Sequence, residues 1–296
     1  MDRQSGEAFW AGEATLNTTY VPYFNAIAVC APVNVLVNDS TDGTYSISIK
    51  ADAAASGALN IQHQGGSGIV GLSIETLGDF KTSEVIEVVL SLPPGQFNYA
   101  ELDYTNSDLV INNTFNATKA EIANNGDGTV LIPRGLDTSL NKVSTTGAGD
   151  LLMRGNGSYS ELFSAGSGKR YLSGLTGQIN VKQDGTGIVA VNPGNGATSI
   201  AGVNTGLQAL SYTQGNCTVG RDPDIGPAMV GDACTHVPSF TVPAYKIQWT
   251  CGIAVKGDFW CAGGGKSGPP NVTQIPCTAA EEELTMFTLD AETEGQ

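Results

Sequence analysis

The residues of this 296-residue chain most able to form covalent bonds are six cysteines: Cys30, Cys217, Cys234, Cys251, Cys261 and Cys277. No two form a C-x-x-C pair, which argues against a zinc site or a thioredoxin-type centre. Five fall within 217–277. That density reads as a disulfide-stapled segment from an oxidising compartment, with at least two bridges inside it. The tail's odd count leaves one thiol over, and Cys30 is its only partner, either within one subunit or between two. Seven Asn-x-Ser/Thr acceptor sites, at Asn17, Asn38, Asn112, Asn116, Asn156, Asn216 and Asn271, point to the same compartment. Asn112, Asn116 and Asn156, in or beside loops between repeats, are the ones most expected to carry glycans. Met1-Asp2-Arg3-Gln4 begins no secretory leader. A leader is therefore expected to be missing here, or the numbering to start inside a precursor.

Catalysis by carboxylates needs paired acids with a nearby Arg or Lys. Asp127 and Asp150 occupy different turn positions, and Arg134, Arg154 and Arg170 lie at different distances from their turn glycines. Asp222 and Asp224 flank Pro223 outside the repeat. The only histidines, His63 and His236, neighbour no nucleophile motif. A calcium-loop reading of 38–49 fails because Ile49 stands where a Glu is needed. A phosphate-loop reading of 262–267 fails because Trp260 stands where a Gly is needed. No catalytic residue, cofactor site or metal site is assigned, and the charges are read as solvating outer faces.

Net charge is −15 with a sequence pI near 4.3, so the surface repels phosphate backbones and nucleic acid is not an expected partner. No apolar run reaches the ~18 residues of a membrane-spanning helix. With 38 glycines and only 15% charged residues, the composition suits a turn-rich, all-β chain.

The elements that must position these residues are set by a repeat. Asn125-Gly126-Asp127-Gly128, Thr146-Gly147-Ala148-Gly149, Ala165-Gly166-Ser167-Gly168 and Asp184-Gly185-Thr186-Gly187 are copies of one turn, with first glycines 21, 19 and 19 residues apart. Asn106-Ser107-Asp108 and Asn204-Thr205-Gly206 are imperfect copies at either end. Short apolar strands follow the turns: Leu109-Val110-Ile111, Val130-Leu131-Ile132, Leu151-Leu152-Met153 and Ile188-Val189-Ala190. One copy has Lys169-Arg170-Tyr171 instead. A period near 20 with strand-turn-strand content predicts a parallel β-solenoid. Glycine is expected at the turns because positive φ excludes a Cβ.

Residues 1–22 read as an arm, 23–212 as roughly nine stacked coils about 45 Å long at ~4.8 Å per rung, and 213–296 as a cysteine-rich extension. Alternation places Ile27, Val29, Val33, Val35 and Val37 inward and Cys30 outward. Residues 51–82 are expected to make one loose coil. Leu284–Leu289 forms a terminal strand that, like the N-terminal arm, could add to a neighbour's sheet. Self-association through the termini into a head-to-tail filament follows as the expected assembly.

The runs Tyr23-Phe24-Asn25-Ala26-Ile27-Ala28-Val29, Asn34-Val35-Leu36-Val37 and Ser46-Ile47-Ser48-Ile49-Lys50-Ala51-Asp52 resemble the opening of the head-GIN domain family. The strand ending Leu92-Pro93 and the turns Gly147-Ala148-Gly149-Asp150 and Gly166-Ser167-Gly168 resemble that family's later features. The resemblance covers about 23–210. It implies a right-handed parallel β-helix on a cell surface, an autotransporter-adhesin head, and carries no catalytic residues. The sequons and the cysteine-rich tail depart from the bacterial pattern and point to a eukaryotic secreted relative. The expected function is that of an extracellular structural or adhesive glycoprotein subunit, not an enzyme. The alternatives are a β-helix polysaccharide lyase or hydrolase, which needs stacked carboxylates in a groove, and a glycan-binding module, which needs a line of exposed aromatics.

Overall fold

The computed structural model describes residues 14–66, 69–103, 106–194, 199–221, 231–247, 249–261, 271–276 and 286–287. The repeat forms a parallel β-solenoid of about six turns, ~21 residues each. One ladder stacks residues 99–102, 121–124, 142–145, 161–164, 180–183, 201–204 and 218–221 in chain order. Alternation on it sends Ile122, Val143, Leu162 and Val181 into the core and leaves Glu121, Lys142, Glu161 and Asn180 outside. Beyond each glycine turn lies the second ladder, running from Leu109–Asn112 through Arg170–Ser173 and Val189–Asn192 to Cys234–His236. Its strands are continuous apolar runs, as expected where both faces are covered. Inside lie Leu109, Val130, Leu151 and Val189; on the outer side Val110, Leu131, Leu152 and Ala190 are buried as well.

The C-terminal segment covers that outer side. Ile247 and Trp249 pack on Leu36, Val110, Leu131 and Leu152. Phe240 lies against Tyr171 with ring centroids 6.0 Å apart, and the Tyr245 hydroxyl donates to Asp108. The chain thus runs back from the last rung toward the first as a strap. It ends in a three-stranded antiparallel sheet in which Thr250–Lys256 pairs with both Phe80–Thr82 and Asn271–Pro276. Cys261 is bridged to Cys30, 231 residues away, and Cys217 is bridged to Cys234 across the last rung.

Three expectations need correction. First, the nine coils in chain order give way to six, because the N-terminal rungs are interleaved. Ala26–Val29 lies between Ile69–Thr76 and Tyr99–Leu102, and Val35–Asp39 lies between Glu87–Leu92 and Leu109–Asn112. Second, residues 51–82 are not a loose coil. Asp52 caps a short helix, Ala53–Ala58, accepting from the Ala55 amide at 2.8 Å. The strand Leu59–Gly66 then lies antiparallel on Ile69–Thr76. With Ser46–Ala51 antiparallel on Glu87–Leu92, and Thr15–Tyr20 on Ser46–Ala51, these strands close the end of the stack. Only Leu59–Gly66 with Ile69–Thr76 is a hairpin; the other two pairs bring together strands distant in the chain.

Cys30 keeps its expected parity, since Ile27, Val29, Ala31 and Val33 are the residues in the core cluster, and it is buried where its bridge to Cys261 joins the C-terminal segment to the coil. Third, the turn glycines are required by crowding and not by φ. The positive-φ glycines lie elsewhere, Gly135 and Gly174 among them. A Cβ on Gly147 would sit 1.8 Å from the Gly126 carbonyl oxygen, and one on Gly166 1.8 Å from that of Gly147. Successive turns stack so closely that each glycine's Cα hydrogen faces the carbonyl below. The imperfect copies join the same stack: Cβ atoms on Gly128 and Gly206 would lie 1.7 Å from the Ser107 oxygen and 2.2 Å from that of Gly185.

A buried polar column, Asn124, Thr145, Ser164, Gln183 and Asn204, lines the inside of the turns. Asn124 accepts from the Gly126 amide at 3.1 Å and donates to the Gly128 and Asp150 carbonyls at 3.0 Å. Asn204 repeats the pattern with Gly206, Gln208 and Ala233. Thr145 and Ser164 are too short to do so. Arg170 enters from the adjacent strand instead, donating to Thr145 Oγ1 at 2.7 Å, to the Gly168 carbonyl, and to the Gly147 carbonyl at 3.4 Å. This accounts for the one repeat that lacks an apolar triplet. Arg170 is fully buried, and desolvation lowers its pKa to about 10, so it remains charged at neutral pH.

Candidate functional site

The acids, the arginine and the histidines singled out in the sequence are engaged with neighbouring chain. The Asp127, Asp150 and Asp108 carboxylates accept the backbone amides of Ala148, Lys169 and Thr129, each one turn further on, at 3.3, 2.7 and 2.7 Å. Arg134 pairs with Asp39 at 2.7 Å. His63 and His236 each place Nε2 2.9 Å from a backbone oxygen, of Tyr23 and Thr213 respectively. Among the described residues no three His, Cys, Asp or Glu side chains gather as a metal-binding group. Asp222, Asp224, the 262–267 loop and Cys277 lie outside the described residues, as does the side chain of Cys251. The second bridge expected inside 217–277 therefore falls outside the description.

Among the described residues nothing covers the outer side of the first ladder, in contrast to the second. Registered side chains there form two columns, Tyr99, Glu121, Lys142, Glu161 and Asn180 in one, and Glu101, Ala123, Ser144, Phe163 and Lys182 in the other. Ala123 and Ser144 are small, and the large neighbours around them leave a shallow groove of about 510 Å³. Tyr99 and Phe163 contribute its aromatic surface. The Tyr99 hydroxyl donates to Glu101 at 2.8 Å. Burial, reinforced by Glu101, pushes that phenol well above its ordinary pKa, so it stays a neutral donor. Charges in the groove are paired: Lys119 with Glu121, Lys142 with Glu161 at 3.5 Å, and Lys182 with Asp184 at 3.3 Å. Lys182 also lies 5.4 Å from the centre of the Phe163 ring. Asn180 donates to the Tyr159 hydroxyl at 2.6 Å.

These groove residues carry a signal in the sequence. Glu121, Lys142, Glu161 and Asn180 each stand five residues before a turn glycine, so aligning the repeats on their glycines puts them in one column. A search of charged residues after the turns misses them.

The sequons fall into different settings. Asn17, Asn156 and Asn216 are exposed. Asn38 and Asn112 are half-buried and stacked in register, with Asn112 donating to Asn38 at 3.3 Å. Asn116 and Asn271 lie on the strands Phe115–Asn124 and Asn271–Pro276.

A parallel solenoid with one sheet strapped over and one carrying an open groove defines a protein that presents a surface. The sequence matches, over residues 23–203, the family described as "Putative auto-transporter adhesin, head GIN domain", and the chain belongs to that family. The strap lies beyond the matched region. The crystal structure of a "putative adhesin" from Parabacteroides merdae ATCC 43184 shares the fold, with TM-score 0.50 and 14% identity over 73% of this chain and 94% of that one. Similar structures include "putative adhesins" from Bacteroides fragilis NCTC 9343 (19% identity, 71% and 97% covered, TM-score 0.44) and Parabacteroides distasonis ATCC 8503 (13%, 72% and 94%, 0.47). No curated protein matches the sequence.

Proposed function

We propose that this chain is an extracellular, non-enzymatic adhesive domain that meets its target through the open side of the first ladder. The observation that carries the reading is the contrast between the two sheets. The second spends its outer apolar column on the chain's own strap, whereas the first presents a grooved aromatic and polar surface to solvent. Family membership supports an adhesive role, and the disulfides fit an oxidising, extracellular setting. Displayed on a non-adherent cell, the domain should confer attachment to host or matrix surfaces, and excess soluble protein should compete it away. Progressive shortening of a polysaccharide by the purified chain would instead favour the lyase or hydrolase alternative.

Glycans, if the chain passes through a glycosylating secretory pathway, belong at the exposed Asn17, Asn156 and Asn216 in preference to the stacked Asn38 and Asn112. Head-to-tail assembly is a separate question. Both strands through which the termini could join a neighbour are engaged within the chain, Thr15–Tyr20 on Ser46–Ala51 and Met286–Phe287 on Tyr245–Lys246. The Cys30 bridge also closes within the chain. These pairings support a solitary head. Light scattering at high protein concentration should find a monomer, and concentration-dependent polymers would restore the filament.

A further inference from the structure

The groove's chemistry narrows what it takes. Resting on the adhesive reading above, we propose that it binds a neutral, hydroxyl-rich oligosaccharide lying along the solenoid axis. Rungs follow one another at ~4.8 Å, so each successive unit of an extended sugar chain, about one rung in length, meets an equivalent position. At those positions stand Glu121, Lys142, Glu161 and Asn180 in turn. Carboxylate, ammonium and amide groups in alternation supply both acceptors and donors, which sugar hydroxyls need on the same face. Phe163 and Tyr99 supply apolar walls against which the C–H face of a pyranose can pack, above a floor kept low by Ala123 and Ser144.

Charge selects against ionic ligands. Each lysine at the groove already has a carboxylate partner, and Glu101 accepts from the Tyr99 hydroxyl and from Asn125 at 3.2 Å. Among the described residues an anionic polysaccharide would find no uncommitted cation in the groove, and it would approach a chain of net charge −15. A cationic peptide would meet carboxylates that already have partners, a lysine each for Glu121, Glu161 and Asp184 and two neutral donors for Glu101. A neutral polyol can bond to paired groups without separating them, because each carboxylate oxygen keeps spare acceptor capacity.

The test uses the full chain with its disulfides intact, titrated with neutral gluco-, manno- and galacto-hexaoses, with an oligogalacturonate and with oligolysine. Saturable binding of at least one neutral hexaose is expected, insensitive to salt. Phe163→Ala and Ser144→Arg should each weaken it about tenfold or more, equivalent to ~1.4 kcal/mol, while Ser139→Arg on another face leaves it unchanged. Salt-sensitive binding of the uronate or oligolysine alone would overturn the ligand class. So would failure of every neutral hexaose. If displayed Ser144→Arg still loses attachment in that case, the binding face stands and only the ligand class is wrong. If attachment survives, the adhesive face falls too.

Discussion

Gly147→Ala is expected to lower the melting temperature by roughly 6–20 °C, whereas Ala148→Val, one residue on, should shift it by no more than about a degree or two. The added methyl would meet the Gly126 carbonyl oxygen at 1.8 Å, its carbon at 2.6 Å and Asn125 backbone at 2.8 Å. None of these atoms can swing away as a side chain would. The turns must separate, which breaks the bond from the Gly149 amide to the Gly126 carbonyl at 3.1 Å and strains the rungs on both sides. Overpacking against rigid backbone lies at the costly end of core substitutions, about 3–5 kcal/mol. For a domain of this size that is ~2–4 °C per kcal/mol. Ala148 is exposed, so its larger replacement extends into solvent. Differential scanning calorimetry of the two variants separates crowding from a general intolerance of the turn, and equal melting temperatures would contradict the stacked arrangement.

Arg170→Met should cost about 3 kcal/mol. The replacement fills similar space but leaves Thr145 Oγ1 and the Gly168 and Gly147 carbonyls without their donor in the core. Unsatisfied buried acceptors cost ~1–3 kcal/mol each when nothing replaces the bond. Arg170→Lys should be intermediate, since one ammonium cannot reach three acceptors fixed by a fork of donors. The polar column suggests a rescue. Asn124 and Asn204 each donate to the carbonyl four residues on, and for residue 164 that carbonyl is Gly168. The pair Ser164→Asn with Arg170→Val should therefore recover much of the stability that Arg170→Val alone loses. Urea denaturation of the two single variants and the double variant measures the coupling. Additive losses would mean that Arg170 does not substitute for the missing asparagine.

The solenoid was legible in the sequence because one steric constraint repeats. The four full copies hold glycine at the same two places, and their spacing of 21, 19 and 19 residues records the circumference of the coil. The cause was not legible, since positive φ and backbone crowding both select glycine. The interleaved first rungs left no such trace. Ala26–Val29 pairs with residues about 45 and 73 positions later, and alternation reports only which side of a strand is buried, never which strand lies beside it.

The strap was half visible. Val130-Leu131-Ile132 and Leu151-Leu152-Met153 are apolar at every position, which already requires cover on both sides. That Ile247 and Trp249 provide it depends on a fold-back spanning the length of the molecule. The groove was hidden for a different reason. Its residues are of unlike type, Glu, Lys, Glu and Asn, so a search for identical stacked residues passes over them, although all share one position relative to the turn.

The most direct test of the adhesive face compares attachment of cells displaying Ser144→Arg with cells displaying Ser139→Arg. Ser144 lies on the floor of the groove, and Ser139 is exposed beside Asp137 and Asn156 on another side of the coil. Both variants add the same charge and bulk to the same protein. Attachment lost with Ser144→Arg and retained with Ser139→Arg, at equal display, is the predicted result. Equal attachment by both, or loss only with Ser139→Arg, would contradict it.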